Sequence, residues 1–268
     1  MDSKRLPIGV FDSGVGGISV LRELIRLMPD EQYLYFGDSA NAPYGTKGLE
    51  QVRELTIRNI KSLLERGVKA VVVACNTATS AAVADLRKMY PELPLVGIEP
   101  AIKPATEQNP GGRIIVMATP MTLRQEKFCK LMGRYEDQAQ IVPLPCPGLM
   151  EYIERGDLAG EDLQKYLTEL FWSVDHEPMD AIVLGCTHYP FARQAIRQVV
   201  GTEVRIYDGG AGTAREMRRR LQEAHLLQDT AGSGQVIFEN SYSDRDTMVR
   251  EQKLCERLLT LEEALGEM

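Results

Sequence analysis

The sequence lacks the long apolar runs and the paired cysteines that mark several classes of protein. No apolar run approaches the roughly 20 residues that a membrane-spanning helix needs. The five cysteines are an odd number with no Cys-x-x-Cys pair, so neither a disulfide framework nor a zinc knuckle is expected. The first residues also lack the apolar stretch of a signal peptide. We therefore expect a cytoplasmic protein with reduced thiols and no membrane contact.

An excess of positive charge is also missing. The formal net charge is −7, which argues against a nucleic-acid-binding groove as the main function. The single basic patch, residues 215–220, is interspersed with glutamate and predicts a solvated helix face. With 268 residues and 44% hydrophobic residues, the chain is long and apolar enough for two globular domains.

Two apolar runs of the sequence end beside a cysteine. Residues 69–74 lead to Cys75, and residues 181–184 lead through Gly185 to Cys186. Short apolar runs of this kind are typical of buried strands. In open α/β sheets, ligands bind at the carboxyl ends of the strands. The sequence therefore predicts one site with a thiol from each of two matching strands.

The residues that follow each cysteine favour chemistry over packing. A single buried cysteine at a strand end is more often a small apolar residue. Here, Asn76 and Thr77 follow one cysteine and Thr187 follows the other, and all three can donate hydrogen bonds to a substrate carboxylate. A helix is predicted after each cysteine, and its N-terminus would stabilise a thiolate. The other three cysteines lack this setting and are expected to be inert: Cys129, Cys146 and Cys255.

Two thiols that face one cavity suit a two-base proton transfer. One sulfur, as thiolate, removes a proton from a carbon, and the other, as thiol, donates a proton to the opposite face. An unperturbed cysteine has a pKa of ~8.5, so modest tuning gives one thiolate and one thiol at neutral pH. Asp12 and His188 are the candidates to orient or tune the sulfurs.

Strands and helices alternate through the chain, and the pattern restarts near residue 113. This order predicts an α/β fold with two similar domains, each with a mostly parallel sheet flanked by helices. Residues 123–131 are predicted as one helix. The glycine-rich stretch 12–17 resembles a dinucleotide fingerprint only in part. That fingerprint needs a further glycine at position 19, where this sequence has Ser19. That stretch is either a tight turn or a turn whose N–H groups receive an anion.

Four motifs together resemble those of a known family. They are Phe11-Asp12-Ser13-Gly14-Val15-Gly16-Gly17, Pro43-Tyr44-Gly45, Ala74-Cys75-Asn76-Thr77-Ala78 and Gly185-Cys186-Thr187-His188-Tyr189-Pro190. In this order the chain resembles the bacterial glutamate racemases of the cofactor-independent aspartate/glutamate racemase superfamily. His188 strengthens the resemblance, since aspartate racemases typically carry glutamate after the corresponding Cys-Thr. Ala118 is a departure, because the family usually has glycine there.

The resemblance implies a set of site residues. Cys75 and Cys186 would be the catalytic acid/base pair, with no metal, pyridoxal phosphate or nucleotide. Glu154 would support the second cysteine, although Glu151 is an alternative. The residues implied to bind glutamate are Asp12, Ser13, Tyr44, Gly45, Asn76, Thr77, Thr187 and His188.

The resemblance also implies how the domains are arranged. The first domain would comprise residues 1–98 and the second residues 99–207, with the active site in the cleft between them. Residues 208–268 would return to the first domain. The family's role is to supply D-glutamate for peptidoglycan, and we expect a homo-oligomer, a dimer.

Three other functions remain open at this point. The chain could be an aspartate racemase, or a one-cysteine decarboxylase or isomerase of the same superfamily. It could also be a non-catalytic, two-lobed protein that binds amino acids. The pair of cysteines argues against the last two, because neither needs a thiol at both strand ends.

Overall fold

The computed structural model describes residues 3–174, 177–232 and 234–261. Residue 233 and residues 262–268 of the predicted C-terminal return lie outside the described residues. The chain divides into two compact units. Unit 1 comprises Met1–Glu99 and Gly209–Leu259, and unit 2 contains Pro100–Asp208.

Unit 1 is built on a five-stranded parallel sheet. Its strands are β1 (Ile8–Asp12), β2 (Gln32–Gly37), β3 (Ala70–Val73), β4 (Leu95–Gly97) and β9 (Gln235–Asn240). Their order in the sheet is β4-β3-β1-β2-β9, and every pair is parallel. All residues of β1 and β3 are buried. A strand covered on both faces has an almost continuous apolar sequence, which is why these runs stand out.

Helices cover the sheet of unit 1. They are α1 (Ile18–Leu27), α2 (Leu49–Glu65), α3 (Asn76–Met89), α10 (Gly210–Glu223) and α11 (Arg245–Thr260). Helix α1 packs against α10, and α2 packs against α3. The apolar stripe of α1, which includes Val20, Leu21 and Leu24, is fully buried.

Unit 2 has a four-stranded parallel sheet of its own. Its strands are β5 (Arg113–Ala118), β6 (Gln140–Pro145), β7 (Ala181–Leu184) and β8 (Arg205–Asp208). Their order is β6-β5-β7-β8. The helices are α4 (Ile102–Gln108), α5 (Pro120–Arg124), α6 (Glu126–Gly133), α7 (Leu149–Glu154), α8 (Glu161–Trp172) and α9 (Arg193–Val200). Alternate residues of β5, Ile114 and Val116, pack with Phe128 of α6 in the core of the unit.

The two sheets share one strand order. From the outer strand inward, β4-β3-β1-β2 of unit 1 corresponds to β8-β7-β5-β6 of unit 2, and β9 is the extra strand of unit 1. The strands that precede the two cysteines, β3 and β7, therefore occupy equivalent positions. The predicted α/β fold with two similar parallel-sheet units is confirmed.

Two local predictions need correction in unit 2. The single helix predicted at 123–131 is wrong, because α5 ends at Arg124 and α6 starts at Glu126. Gln125 between them has extended backbone angles. Its backbone N donates a hydrogen bond to Thr122 O at the end of α5. Helix α4 was not predicted, since Pro104 breaks the pattern, but proline is tolerated in a first turn.

The helices of the described ranges are unsuited to a bilayer. None of them combines the length and the apolar character that a membrane crossing requires.

Candidate active site

Cys75 lies at the junction of β3 and α3. It is the N-cap residue of α3, and its Sγ accepts a hydrogen bond from Ala78 N at 3.4 Å. The side chain is only 5% exposed. The N-terminus of a helix carries partial positive charge, which favours a thiolate at this position. The predicted helix after this cysteine is present, and the cysteine lies at its N-terminus.

Asp12 ends β1, next to Cys75's strand in the sheet. Its carboxylate is fully buried, and Oδ1 accepts a hydrogen bond from Gly14 N at 3.0 Å. Tyr35 OH donates to Gly14 O at 2.7 Å from the other side of the loop. A Cβ atom at Gly17 would lie 2.6 Å from Asp12 Cβ, so the close approach requires glycine. The glycine-rich stretch is therefore a tight turn built around Asp12, with Ser13 buried beside it.

Tyr44 is fixed by a carboxylate that the sequence analysis missed. Its OH donates to Asp38 Oδ2 at 2.6 Å, and Asn59 Nδ2 donates to the same oxygen at 2.8 Å. Asn41 Nδ2 donates to Asp38 Oδ1 at 2.8 Å. Burial, and then the hydrogen bond to Asp38, raise the pKa of Tyr44, so its phenol stays protonated. The missed signal was positional, because Asp38 directly follows β2 as Asp12 ends the neighbouring β1.

Two buried polar residues open helix α3 beside Cys75. Asn76 and Thr77 are 5% and 3% exposed. Asn76 Oδ1 has no hydrogen-bond partner among the described residues. A buried amide oxygen without a partner is costly, so this atom is suited to accept a hydrogen bond from a ligand. Gly45 lies in the 3-10 turn Tyr44–Thr46 and is half-buried.

Cys186 has a different environment in unit 2. Its Sγ lies 3.7 Å from His188 Nδ1, and His188 Nε2 lies 3.2 Å from Glu154 Oε1. Both the cysteine and the histidine are buried, at 9% and 1% exposure. The fold therefore brings Cys186, His188 and Glu154 into contact, although Glu154 and His188 are 34 positions apart in the sequence. Glu151, the alternative carboxylate, is exposed on the same helix.

The charge state of His188 follows from these contacts. Burial alone lowers its pKa, because the imidazolium loses water. The hydrogen bonds and charges of Cys186 and Glu154 outweigh that loss, and the pKa ends well above its ordinary value. His188 is therefore an imidazolium buried between the sulfur of Cys186 and the carboxylate of Glu154.

The predicted helix after Cys186 is present as α9, but its N-terminus is not at the cysteine itself. A 3-10 turn, Tyr189–Ala192, follows His188, and α9 begins only at Arg193. Pro190 is the second residue of this short turn and cannot donate a backbone hydrogen bond. Thr187 is buried, at 3% exposure. Cys186 therefore lies beside the side chain of His188 instead of at a helix N-terminus.

The remaining cysteines differ in burial. Cys146 is 3% exposed, its Sγ donates to Leu144 O at 3.3 Å, and Tyr189 OH donates to its carbonyl oxygen at 3.3 Å. Burial, followed by the charge of Cys186, raises the pKa of Cys146. Burial likewise raises the pKa of Cys255, and Cys129 is exposed. Their predicted inertness stays a prediction, and the raised pKa values favour it for the two buried thiols.

Side chains that ligate metals do not cluster in the described part of the chain. No group of three or more histidine, cysteine, aspartate or glutamate residues there is placed to hold a metal ion. The polar groups described in the preceding paragraphs form two clusters. One lies at the carboxyl ends of the unit 1 strands, and the other lies in unit 2. The first contains Asp12, Ser13, Asp38, Tyr44, Gly45, Cys75, Asn76 and Thr77, and the second contains Glu154, Cys186, Thr187 and His188.

Comparison with known proteins identifies the family. Residues 8–217 match the profile of the Asp/Glu/Hydantoin racemase family. A glutamate racemase of Clostridium botulinum (strain Alaska E43 / Type E3) is 52% identical over 256 residues, which cover 96% of this chain and 99% of the relative. The chain belongs to the Asp/Glu/hydantoin racemase family, so its class is that of the isomerases, as the four motifs indicated.

Solved structures agree with this assignment. The Escherichia coli glutamate racemase, in complex with L-glutamate and the activator UDP-MurNAc-Ala, has a TM-score of 0.83 and 32% identity, covering 94% of this chain and 95% of that one. The Francisella tularensis glutamate racemase, in complex with D-glutamate, has a TM-score of 0.82 and 26% identity, covering 97% and 96%. The similarity extends over both units.

Proposed function

We propose that this protein is a glutamate racemase that interconverts L- and D-glutamate by proton transfer between Cys75 and Cys186. The observation that carries the proposal is the equivalent placement of two buried thiols, each with its own means of stabilising a thiolate. A binding protein or a one-base enzyme needs only one such group at most. The 52% identity to a glutamate racemase favours glutamate as substrate.

The proposed reaction breaks the C–H bond on one side of the α-carbon and forms a new C–H bond on the opposite side. One thiolate takes the α-proton, and the electron pair of the C–H bond passes into the carbanion and its carboxylate. The opposite thiol then gives its proton to the other face, which inverts the configuration and leaves a thiolate there. By resemblance to the family, Cys75 removes the proton from D-glutamate and Cys186 removes it from L-glutamate. No cofactor or metal takes part in this scheme.

The surrounding polar groups bind the substrate and limit the cost of the carbanion. Asn76 Oδ1 is available for the substrate ammonium group, and the hydroxyls of Thr77 and Thr187 are suited to its carboxylates. His188, held by Glu154, would keep Cys186 poised as a thiolate. Asp12, Ser13, Tyr44 and Gly45 complete the proposed glutamate site.

The proposal includes a domain arrangement. We propose that residues 1–98 with 208–268 form one domain and that residues 99–207 form the other. The product, D-glutamate, would be used for peptidoglycan in the cytoplasm, and the enzyme would act as a dimer.

The test is incubation with L-glutamate in deuterium oxide. Optical rotation should decay to zero, since the two enantiomers have equal free energy, and every molecule of D-glutamate formed should carry deuterium at the α-carbon. A chelator should leave the rate unchanged. Tight binding of glutamate without deuterium uptake would indicate a binding protein instead. Deuterium uptake by aspartate and not by glutamate would indicate an aspartate racemase.

A further inference from the structure

The C-terminal part of unit 1 contacts the loop that carries Tyr44. We call residues 38–46 the Tyr44 loop. Ser39 Oγ donates to Glu251 Oε1 of α11 at 2.6 Å, and Ala40 N donates to Ser241 Oγ at 3.0 Å. These contacts join residues that are 212 and 201 positions apart in the sequence. The start of the loop is therefore tied to the distant end of the chain.

This part of the chain is itself firmly attached to unit 1. Strand β9 pairs with β2 along its whole length, from Gln235 to Asn240. Ser241 N continues the ladder by donating to Gly37 O at 3.1 Å. Two residues of α11, Cys255 and Leu258, are buried at 3% and 0% exposure. Strand β9 and helix α11 thus form a fixed platform for the loop.

Glu251 lies where the two site loops of unit 1 approach each other. A Cβ atom at Gly37 would be 2.7 Å from Gly14 O and 3.3 Å from Glu251 Oε1. Gly14 belongs to the turn that holds Asp12, and Gly37 directly precedes the Tyr44 loop. The carboxylate of Glu251 is therefore close to the ends of both β1 and β2, on the side where Ser39 is held.

We infer that Glu251 is a positioning residue for the substrate site, acting through Ser39 on the Tyr44 loop. The inference rests on the proposed function, in which Tyr44 and Gly45 contact glutamate. Asp38 accepts hydrogen bonds from Tyr44, Asn41 and Asn59. These donors lie in the loop itself or on α2, so none of these bonds joins the loop to the platform. The bond from Ser39 to Glu251 ties the loop to the platform. Without it, the loop would keep the bond from Ala40 N to Ser241 Oγ but would be less ordered before substrate binds, and binding would be weaker.

The test is steady-state kinetics of Glu251→Ala, Glu251→Gln and Ser39→Ala with either enantiomer of glutamate. Loss of a hydrogen bond to a charged group should raise KM roughly tenfold in Glu251→Ala and in Ser39→Ala. The kcat should stay within about twofold of wild type, because the thiols are untouched. Glu251→Gln keeps an acceptor oxygen and should restore most of the lost affinity. Gln252→Ala, on the exposed side of the same helix, is the matched control and should keep the wild-type KM.

The double variant separates a direct contact from a general loosening of the helix. If Glu251 acts through Ser39, Ser39→Ala/Glu251→Ala should have the same KM as either single variant. Additive effects, an unchanged KM in Glu251→Ala, or an equal rise in Gln252→Ala would each overturn the inference.

Amide hydrogen exchange keeps this test independent of the proposed function. Glu251→Ala should exchange faster than wild type across residues 38–46 in the absence of substrate, with the rest of unit 1 unchanged. If wild type fails to racemise glutamate, the proposed function is wrong, and exchange still tests the positioning contact. Unchanged exchange in these residues would refute the inference even in an active enzyme.

Discussion

The two thiols sit at equivalent places in two sheets of the same strand order, yet their surroundings differ. Cys75 caps a 14-residue helix and receives one backbone N–H. Cys186 has a 3-10 turn after it and lies beside an imidazolium held by Glu154. A helix N-terminus is a fixed charge distribution, whereas an imidazolium exists only while it holds its proton. Equivalent topology therefore fixes where a reactive group stands, while local sequence decides how its charge is stabilised.

The largest effect should come from removing either sulfur. In Cys75→Ala and in Cys186→Ala, racemisation should fall by several powers of ten, given about 10²–10⁴ for one positioned acid or base and the coupled action of the pair. Slow α-proton exchange should persist for L-glutamate alone in Cys75→Ala and for D-glutamate alone in Cys186→Ala. Mass spectrometry of each enantiomer after incubation in deuterium oxide reads this directly.

The control for the two sulfurs is Cys146→Ala, which removes a buried thiol of unit 2 with a raised pKa. It should keep most of the wild-type activity. The two-base comparison fails if both catalytic variants exchange the same enantiomer, or if either of them racemises near the wild-type rate.

Glu154→Gln should separate the two environments. The change weakens the hold on His188 in unit 2 and leaves Cys75 untouched. Glutamine keeps an acceptor oxygen but removes the negative charge, and the replacement of a charge-assisted hydrogen bond by a neutral one costs about 1–2 kcal/mol, so kcat/KM should fall roughly 5-fold to 30-fold. Because the equilibrium constant is fixed near one, kcat/KM must fall equally in both directions. Glu151→Gln, an exposed neighbour on α7, should have no effect, and an equal loss in that variant would contradict the assigned role of Glu154.

Tyr44→Phe tests the polar cluster of unit 1. It removes the O–H group that donates to Asp38, which keeps its bonds from Asn41 and Asn59. The free energy of unfolding should fall by about 1–2 kcal/mol, the cost of leaving a buried carboxylate partly unsatisfied. Tyr166→Phe in unit 2 removes an exposed hydrogen bond and should cost a few tenths of a kcal/mol. If urea titrations gave the same loss of unfolding free energy for Tyr44→Phe and Tyr166→Phe, the hydrogen bond from Tyr44 to Asp38 would have no special role in stability.

The last effect depends on pH. The pKa of folded His188 is raised well above its ordinary value of 6.5 by Cys186 and Glu154. The histidine's contribution to stability is therefore fully present below about pH 6.5 and is lost as pH rises through the raised pKa, by up to about 1.4 kcal/mol per pH unit. The difference in unfolding free energy between wild type and His188→Asn should shrink across this range. A difference that grows with pH would mean that the folded protein holds the imidazole neutral.

Much of the fold could be predicted because the buried strands have a strong local signal. The apolar runs of β3 and β7, each followed by a cysteine, have no other good explanation than covered parallel strands. Short helices gave weaker signals. The apolar spacing of Leu123, Phe128 and Leu131 passes through the break at Gln125, so periodicity alone cannot reveal two helices.

Candidate site residues could be predicted where they are close together in the sequence. They could not be predicted where folding brings distant residues together. The motif around Cys186 identified His188 because the two stand two positions apart. Asp38 and Asn59, which are 21 positions apart, meet only after β2 and α2 are packed. The helix predicted after Cys186 starts at Arg193, but the 3-10 turn that precedes it was not predicted, since Pro190 is compatible with the first turn of either kind of helix.

The interruption of unit 1 by unit 2 has a consequence for synthesis on the ribosome. All four strands of unit 2 lie in one contiguous segment, Pro100–Asp208, so they can assemble as soon as this segment leaves the exit tunnel. Unit 1 lacks α10 and β9 at that moment, so α1 is without α10, the helix against which it packs. The unit that is translated first is thus the last to close, and α1 is the segment that a nascent-chain chaperone would have to shield.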